Sequence, residues 1–171
     1  MEIVSYWPVE RLATAEAATW LDQTIIAETK PVIREKGFGA DVSKALIARE
    51  EWLIVNRHAS VEPGTITPKP DMLRDLNRRG ITVAAENLSA QLGMPPESPV
   101  EGMRITGKHV GTIDLPMQRL AVIKGRHEFT LVPWRPELLK MRGKDIEISV
   151  RDRAITMALA RGRVRDLGLS R

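Results

Sequence analysis

The hydrophobic period of this chain changes once, and the change falls at Pro95-Pro96-Glu97-Ser98-Pro99. Before that segment apolar residues recur every three or four positions; after it they recur every second position. The first spacing gathers side chains on one stripe of a helix, and the second places them on one face of a strand. A chain holding both, parted by prolines, reads as α+β in two parts. Residues 1–94 form a helical domain and residues 100–171 a small β domain with a basic tail.

In the first part, Ala13, Ala17, Trp20, Leu21, Thr24 and Ile25 share a stripe, which predicts one helix from about Val9 to Thr29. Lys30-Pro31 ends it. A second helix starts near Asp41, whose side chain can cap it. Val42, Ala45, Leu46, Arg49, Trp52 and Leu53 then share a face, with the Arg49 stem buried at its edge and the guanidinium in water. Ser60-Val61-Glu62-Pro63-Gly64-Thr65-Ile66-Thr67 reads as two short strands around a Pro-Gly turn. A third helical segment carries Met72, Leu73, Leu76, Val83, Ala84, Leu88 and Leu92, with Gly80 splitting it and Gly93 stopping it. Helix, hairpin and helix over 40–92 resemble a winged helix loosely, because the hairpin precedes the basic helix rather than following it.

In the second part, Met103, Ile105 and Gly107 point inward while Arg104, Thr106 and Lys108 point outward. Residues 120–123 and 128–132 are further strands, a helical turn follows Pro136, and residues 145–150 alternate cleanly. Residues 154–159 are a last strand or a short helix. Several short strands at this spacing predict a small β-barrel-like sheet.

No apolar run approaches the ~18–20 residues that span a bilayer, and the start of the chain lacks the pattern of a secretory signal. With no cysteine there is neither a disulfide framework nor a thiolate metal site. These features suit a cytoplasmic protein that engages no membrane. The net charge of +4 is unevenly placed: residues 1–140 hold 18 basic and 18 acidic side chains, whereas 141–171 hold eight and four. Seven of those eight are arginine, whose planar fork suits phosphates and carboxylates.

Signals for catalysis are thin. His58, His109 and His127 are far apart in sequence and read as surface or strand-edge residues. Tyr6 beside Trp7 reads as an apolar anchor. There is no glycine-rich phosphate loop and no serine elbow. Nothing in the pattern asks for a cofactor or a metal.

Signals for binding are stronger. Arg74 and Arg78 share a helix face and Arg79 adjoins them, so the three could lie along a phosphate backbone or form an ordinary solvated face. Arg104 and Lys108 stand on the outer face of one strand. Arg161, Arg163 and Arg165 alternate in the tail, as a phosphate grip or as a charged end that protects an edge. Trp134 with Arg135 makes a natural anchor pair for a protein partner.

The run Arg126-His127-Glu128-Phe129-Thr130-Leu131-Val132-Pro133-Trp134-Arg135-Pro136-Glu137-Leu138 resembles the phrase that marks the C-terminal domain of bacterial mobilisation relaxases. Ala15-Glu16-Ala17-Ala18-Thr19-Trp20-Leu21-Asp22, Gly37-Phe38-Gly39-Ala40-Asp41-Val42, Arg49-Glu50-Glu51-Trp52-Leu53, Leu88-Ser89-Ala90-Gln91-Leu92-Gly93, Glu101-Gly102 and Arg165-Asp166-Leu167-Gly168-Leu169-Ser170 are similar to segments of that domain, in the same order. Arg151-Asp152-Arg153-Ala154 stands where that family has a glycine-rich stretch. The nicking domain, with its tyrosine and histidine cluster, is not in this chain, so no catalytic residue carries over. The resemblance implies a non-enzymatic accessory domain of plasmid transfer. Its partners would be DNA near the transfer origin, the relaxase catalytic domain and the type IV secretion coupling protein. The alternative is a protein-interaction module without nucleic-acid affinity.

Overall fold

The computed structural model describes residues 5–27 and 37–161. Helices α1 (Val9–Leu12), α2 (Trp20–Ile26) and α3 (Phe38–Val55) come first. The hairpin strands β1 (Ala59–Glu62) and β2 (Thr65–Pro68) and the long helix α4 (Met72–Leu92) follow. Then come β3 (Arg104–Asp114), β4 (Arg119–Lys124), β5 (Phe129–Pro133), a 3-10 helix (Pro136–Met141), β6 (Asp145–Arg151) and β7 (Ala154–Leu159). The class is α+β, as the two periods imply. Two compact units emerge. The helical unit is Met1–Gly93 with Ile113–Leu120, the tip of the β3–β4 hairpin; the sheet unit is Met94–Thr112 with Ala121–Arg171. No described helix is long and apolar enough to cross a membrane.

The helical unit departs from its sequence pattern at the first helix. The expected single helix is two short ones, with α1 ending at Leu12 and α2 starting only after Thr19. Thr19 caps α2 in a reciprocal box: its hydroxyl accepts from the Asp22 amide, and the Asp22 carboxylate accepts from the Thr19 amide. The expected end at Thr29 and the break at Lys30-Pro31 lie outside the described residues.

Arg49 explains the gap between α1 and α2. Its expected position, with the head in water, is wrong: Arg49 and Asp22 are both fully buried. The Nε donates to Asp22 Oδ1 at 2.7 Å, and Nη2 donates to Asp22 Oδ2 at 2.9 Å and to the Ala17 carbonyl at 3.0 Å. The Nη1 donates to the carbonyls of Leu12, Ala13 and Ala15, the last at 2.7 Å. An alanine-rich segment that would otherwise continue as helix is thus held open, its carbonyls taken by one guanidinium. Buried carbonyls need such partners. Arg49 also lies over the Trp52 ring, 4.4 Å from its centroid.

Arg49 is set between two small apolar clusters. Leu12, Leu21, Val42, Ala45 and Leu46 form one, and Leu53, Ala59, Met72 and Leu76 the other. Helix α3 starts at Phe38 with Gly37 as its N-cap, so Asp41 sits inside the first turn rather than capping it. Helix α4 is unbroken through Gly80. That glycine is instead a point of close approach: a Cβ there would lie 2.6 Å from the Cβ of Ala17. Gly93 ends the helix in the left-handed conformation, as expected. The hairpin tip is tied within the same unit. The Tyr6 amide donates to the Pro116 carbonyl, Trp7 Nε1 to the Asp114 carbonyl at 2.7 Å, and Gln118 to Asn77.

The sheet unit follows its pattern closely. The strand order is β5-β4-β3-β6-β7. Strands β3 and β6 are antiparallel with Ile105 opposite Ile148 and Lys108 opposite Asp145, and β6 and β7 are antiparallel with Ile148 opposite Met157. Ile105, Ala121, Ile123, Val132, Leu138, Ile146 and Ile148 form the core. The segment 154–159 is a strand.

The expected small β sheet is present, and it is open rather than closed into a barrel. β5 and β7 are its two ends, and no pairing joins them among the described residues. Part of the proline-rich segment protects the β5 end: the Phe129 amide donates to the Pro95 carbonyl, and the Glu97 amide to the Phe129 carbonyl at 2.7 Å. Covering an edge in this way leaves fewer unpaired groups for another chain to add to. The β6–β7 turn is tight. Asp152 and Arg153 both have positive φ (51° and 62°), and their amides donate to the two carboxylate oxygens of Glu101. The turn has two residues and is held by an outside carboxylate.

Candidate nucleic-acid interface

Charge divides with the fold. The sheet unit carries 14 basic and eight acidic residues, and the helical unit 12 and 14. The excess seen at the end of the sequence therefore belongs to a whole folding unit.

Five of the eleven described cations of the sheet unit lie at one end of the sheet. Lys108 stands on the outer face of β3, opposite Asp145 at the start of β6. Lys140 and Arg142 lie at the end of the 3-10 helix, and Lys144 immediately precedes β6. At the last strand the Ala160 amide donates to the Asp145 carbonyl at 2.8 Å, which brings Arg161 beside Lys144. All five cations are exposed, and none is in an ion pair among the described residues. Two acids share the outer face of β6 with them, Asp145 opposite Lys108 and Glu147 opposite Thr106. Exposed like charges with so little compensation raise a local positive potential that draws anions.

The other expected basic sites differ from this one. On α4, Arg74 lies 3.3 Å from Asp71 and 3.6 Å from Asp75, and Arg79 is bidentate to Glu16 at 2.7 and 3.0 Å. Only Arg78 of the three has no described ion pair, so this face is largely neutralised at its own surface. Arg104 is exposed on β3 opposite Ser149, at the far end of the same ladder from Lys108. Arg163 and Arg165 lie outside the described residues. Trp134 is half-buried and packs against the sheet core, while Arg135 beside it is exposed.

Sequence reasoning missed Lys140, Arg142 and Lys144. Their alternation was visible, but only the β6 and β7 registers bring them to Lys108 and Arg161. It also misplaced Arg49, whose five N–H groups are all engaged inside the protein, leaving none for a ligand.

The candidate chemical groups remain apart. Among the described residues no set of three or more histidine, aspartate and glutamate side chains could hold a metal ion. His58 stacks on Trp52 with ring centroids 5.6 Å apart. Burial, followed by the nearby Arg49 charge, lowers its pKa below the usual 6.5. His109 lies on β3 with both ring nitrogens buried and unpartnered, and His127 is exposed. Tyr6 is 40% exposed under the Arg119 guanidinium, which is also bidentate to Asp114.

A family model described as a protein of unknown function, DUF3363, matches residues 1–166, and the chain belongs to that family. No curated protein and no solved structure matches it.

Proposed function

We propose that this protein is a non-catalytic accessory module that holds DNA through the basic end of its sheet. The observation that carries the reading is the group of Lys108, Arg142, Lys144 and Arg161, exposed and unpaired on adjoining elements of the unit that holds the positive charge excess. Such a patch neutralises phosphates and releases their counterions. The resemblance to relaxase C-terminal domains gives the setting: DNA near a transfer origin, with the relaxase catalytic domain and the type IV coupling protein as neighbours.

The test is fluorescence anisotropy of a labelled mixed-sequence duplex titrated with the protein at two salt concentrations. Micromolar binding, with log K falling against log salt at a slope of about −3 or steeper, is expected from four phosphate contacts. Lys108→Glu, Arg142→Glu, Lys144→Glu and Arg161→Glu combined should abolish it. Binding that survives this variant unchanged defeats the assignment.

One observation favours a second reading. The helical unit exposes large apolar side chains on α3 and the hairpin: Phe38 at 72%, Val55 at 78%, and Ile47 and Val61 at 60% each. Apolar surface of that kind suits a protein partner. In this reading the basic patch docks on an acidic protein, and DNA does not bind even at low salt.

A further inference from the structure

We infer that the nucleic acid gripped by the sheet unit is duplex DNA, held through its phosphates without reading its bases. This deepens the DNA-holding reading and rests on it. Single-strand binders need exposed aromatic rings on which bases stack. The sheet unit has two aromatic residues, Phe129 and Trp134. Phe129 is fully buried, and Trp134 is half-buried against the core. The exposed rings of this chain, Phe38 and Tyr6, belong to the helical unit.

Base reading in a duplex groove draws on amide side chains for adenine and on arginine for guanine. The protein has three asparagines and three glutamines, and every one lies in the helical unit: Gln23, Asn56, Asn77, Asn87, Gln91 and Gln118. The sheet unit thus lacks the amide side chains that pair with adenine, and its patch meets a duplex with cations, the groups that neutralise phosphates. Its cations come from three adjacent strands' ends. Neighbouring strands lie about 4.8 Å apart, so from β3 across β6 to β7 they cover roughly 10 Å. A patch that wide can meet phosphates of a stiff duplex, whose charge density is fixed and high. A flexible strand without stacking has no comparable hold.

The decisive comparison uses the full chain at low salt with three labelled probes of equal length: two duplexes of unrelated sequence and a thymidine homopolymer. The two duplexes should bind within about twofold of one another. The single strand should bind about tenfold or more weaker, the gap expected when no base stacks. Single-strand binding as tight as duplex binding overturns the inference, and so does a tenfold difference between the duplexes; either leaves the DNA-holding reading standing. Absence of binding to all three probes removes that reading and this inference with it.

Discussion

The two units of this protein are stabilised by opposite means. The sheet unit is held by repetition: Ile105, Ile123, Val132, Ile146 and Ile148 bury one face, and no single residue dominates. The helical unit has two small apolar clusters and, between them on α3, a buried arginine that bonds to a carboxylate and four carbonyls. Distributed packing tolerates change at its solvent face, which leaves the sheet unit free to carry an unbalanced surface charge. A central polar node does not tolerate change. It fixes a loop that local sequence alone would make helical, which is the work of a scaffold.

The sharpest way to break this contrast is Arg49→Met. It strands the buried Asp22 carboxylate and four carbonyls, and breaking such a pair costs about 3–5 kcal/mol. Thermal denaturation should show that loss. An equally central apolar change in the sheet, Ile148→Val, should cost only about 0.5–1.5 kcal/mol. Comparable losses from the two variants would erase the distinction.

Next comes Gly80→Ala. Alanine is the better helix former by about 1 kcal/mol, yet its Cβ would fall 2.6 Å from that of Ala17, in the loop that Arg49 holds. We expect a net destabilisation of about 1–3 kcal/mol, the usual cost of overpacking. A more stable variant would show that the 13–18 loop yields easily and is not rigidly fixed.

The sheet unit should accept changes that the helical unit would not. Replacing Asp152-Arg153 by Asn-Gly supplies residues suited to two positive φ angles while keeping both amide bonds to Glu101. A gain of about 0.5–1 kcal/mol in denaturant unfolding is expected. A loss would mean that these two side chains contribute something beyond the turn.

The smallest effect is at His58. The unfolded chain takes up its proton near pH 6.5, and the folded chain only at lower pH. Stability contributed by the neutral ring is therefore present above 6.5 and is lost as pH falls through the window below it. His58→Phe should keep the stack on Trp52 and flatten stability against pH over that window. An unchanged slope would place its source elsewhere.

How legible each unit was follows from the same contrast. Alternation on β3 identified Ile105 and Gly107 as inward and Arg104, Thr106 and Lys108 as outward, because a strand's faces are set by local geometry. Pro63-Gly64 and Gly93 marked their turn and helix end for local reasons too. The Arg49–Asp22 pair joins residues 27 apart, and Arg79–Glu16 residues 63 apart, so no local pattern announces either. Two hints were nevertheless present. An arginine on an otherwise apolar helix face calls for a buried partner, and Thr19 three residues before Asp22 marks a helix start. The basic end of the sheet was half legible. Lys108 and Arg161 stood out by sequence, while their approach to Lys144 depends on register.

The most direct measurement of the central claim is hydrogen–deuterium exchange of the protein with and without a saturating duplex. Protection should appear at 140–146, near Lys108 and at 159–161, with none along α4. Protection concentrated on 72–92, and absent from the sheet end, would contradict the division into a helical scaffold and a basic contact unit.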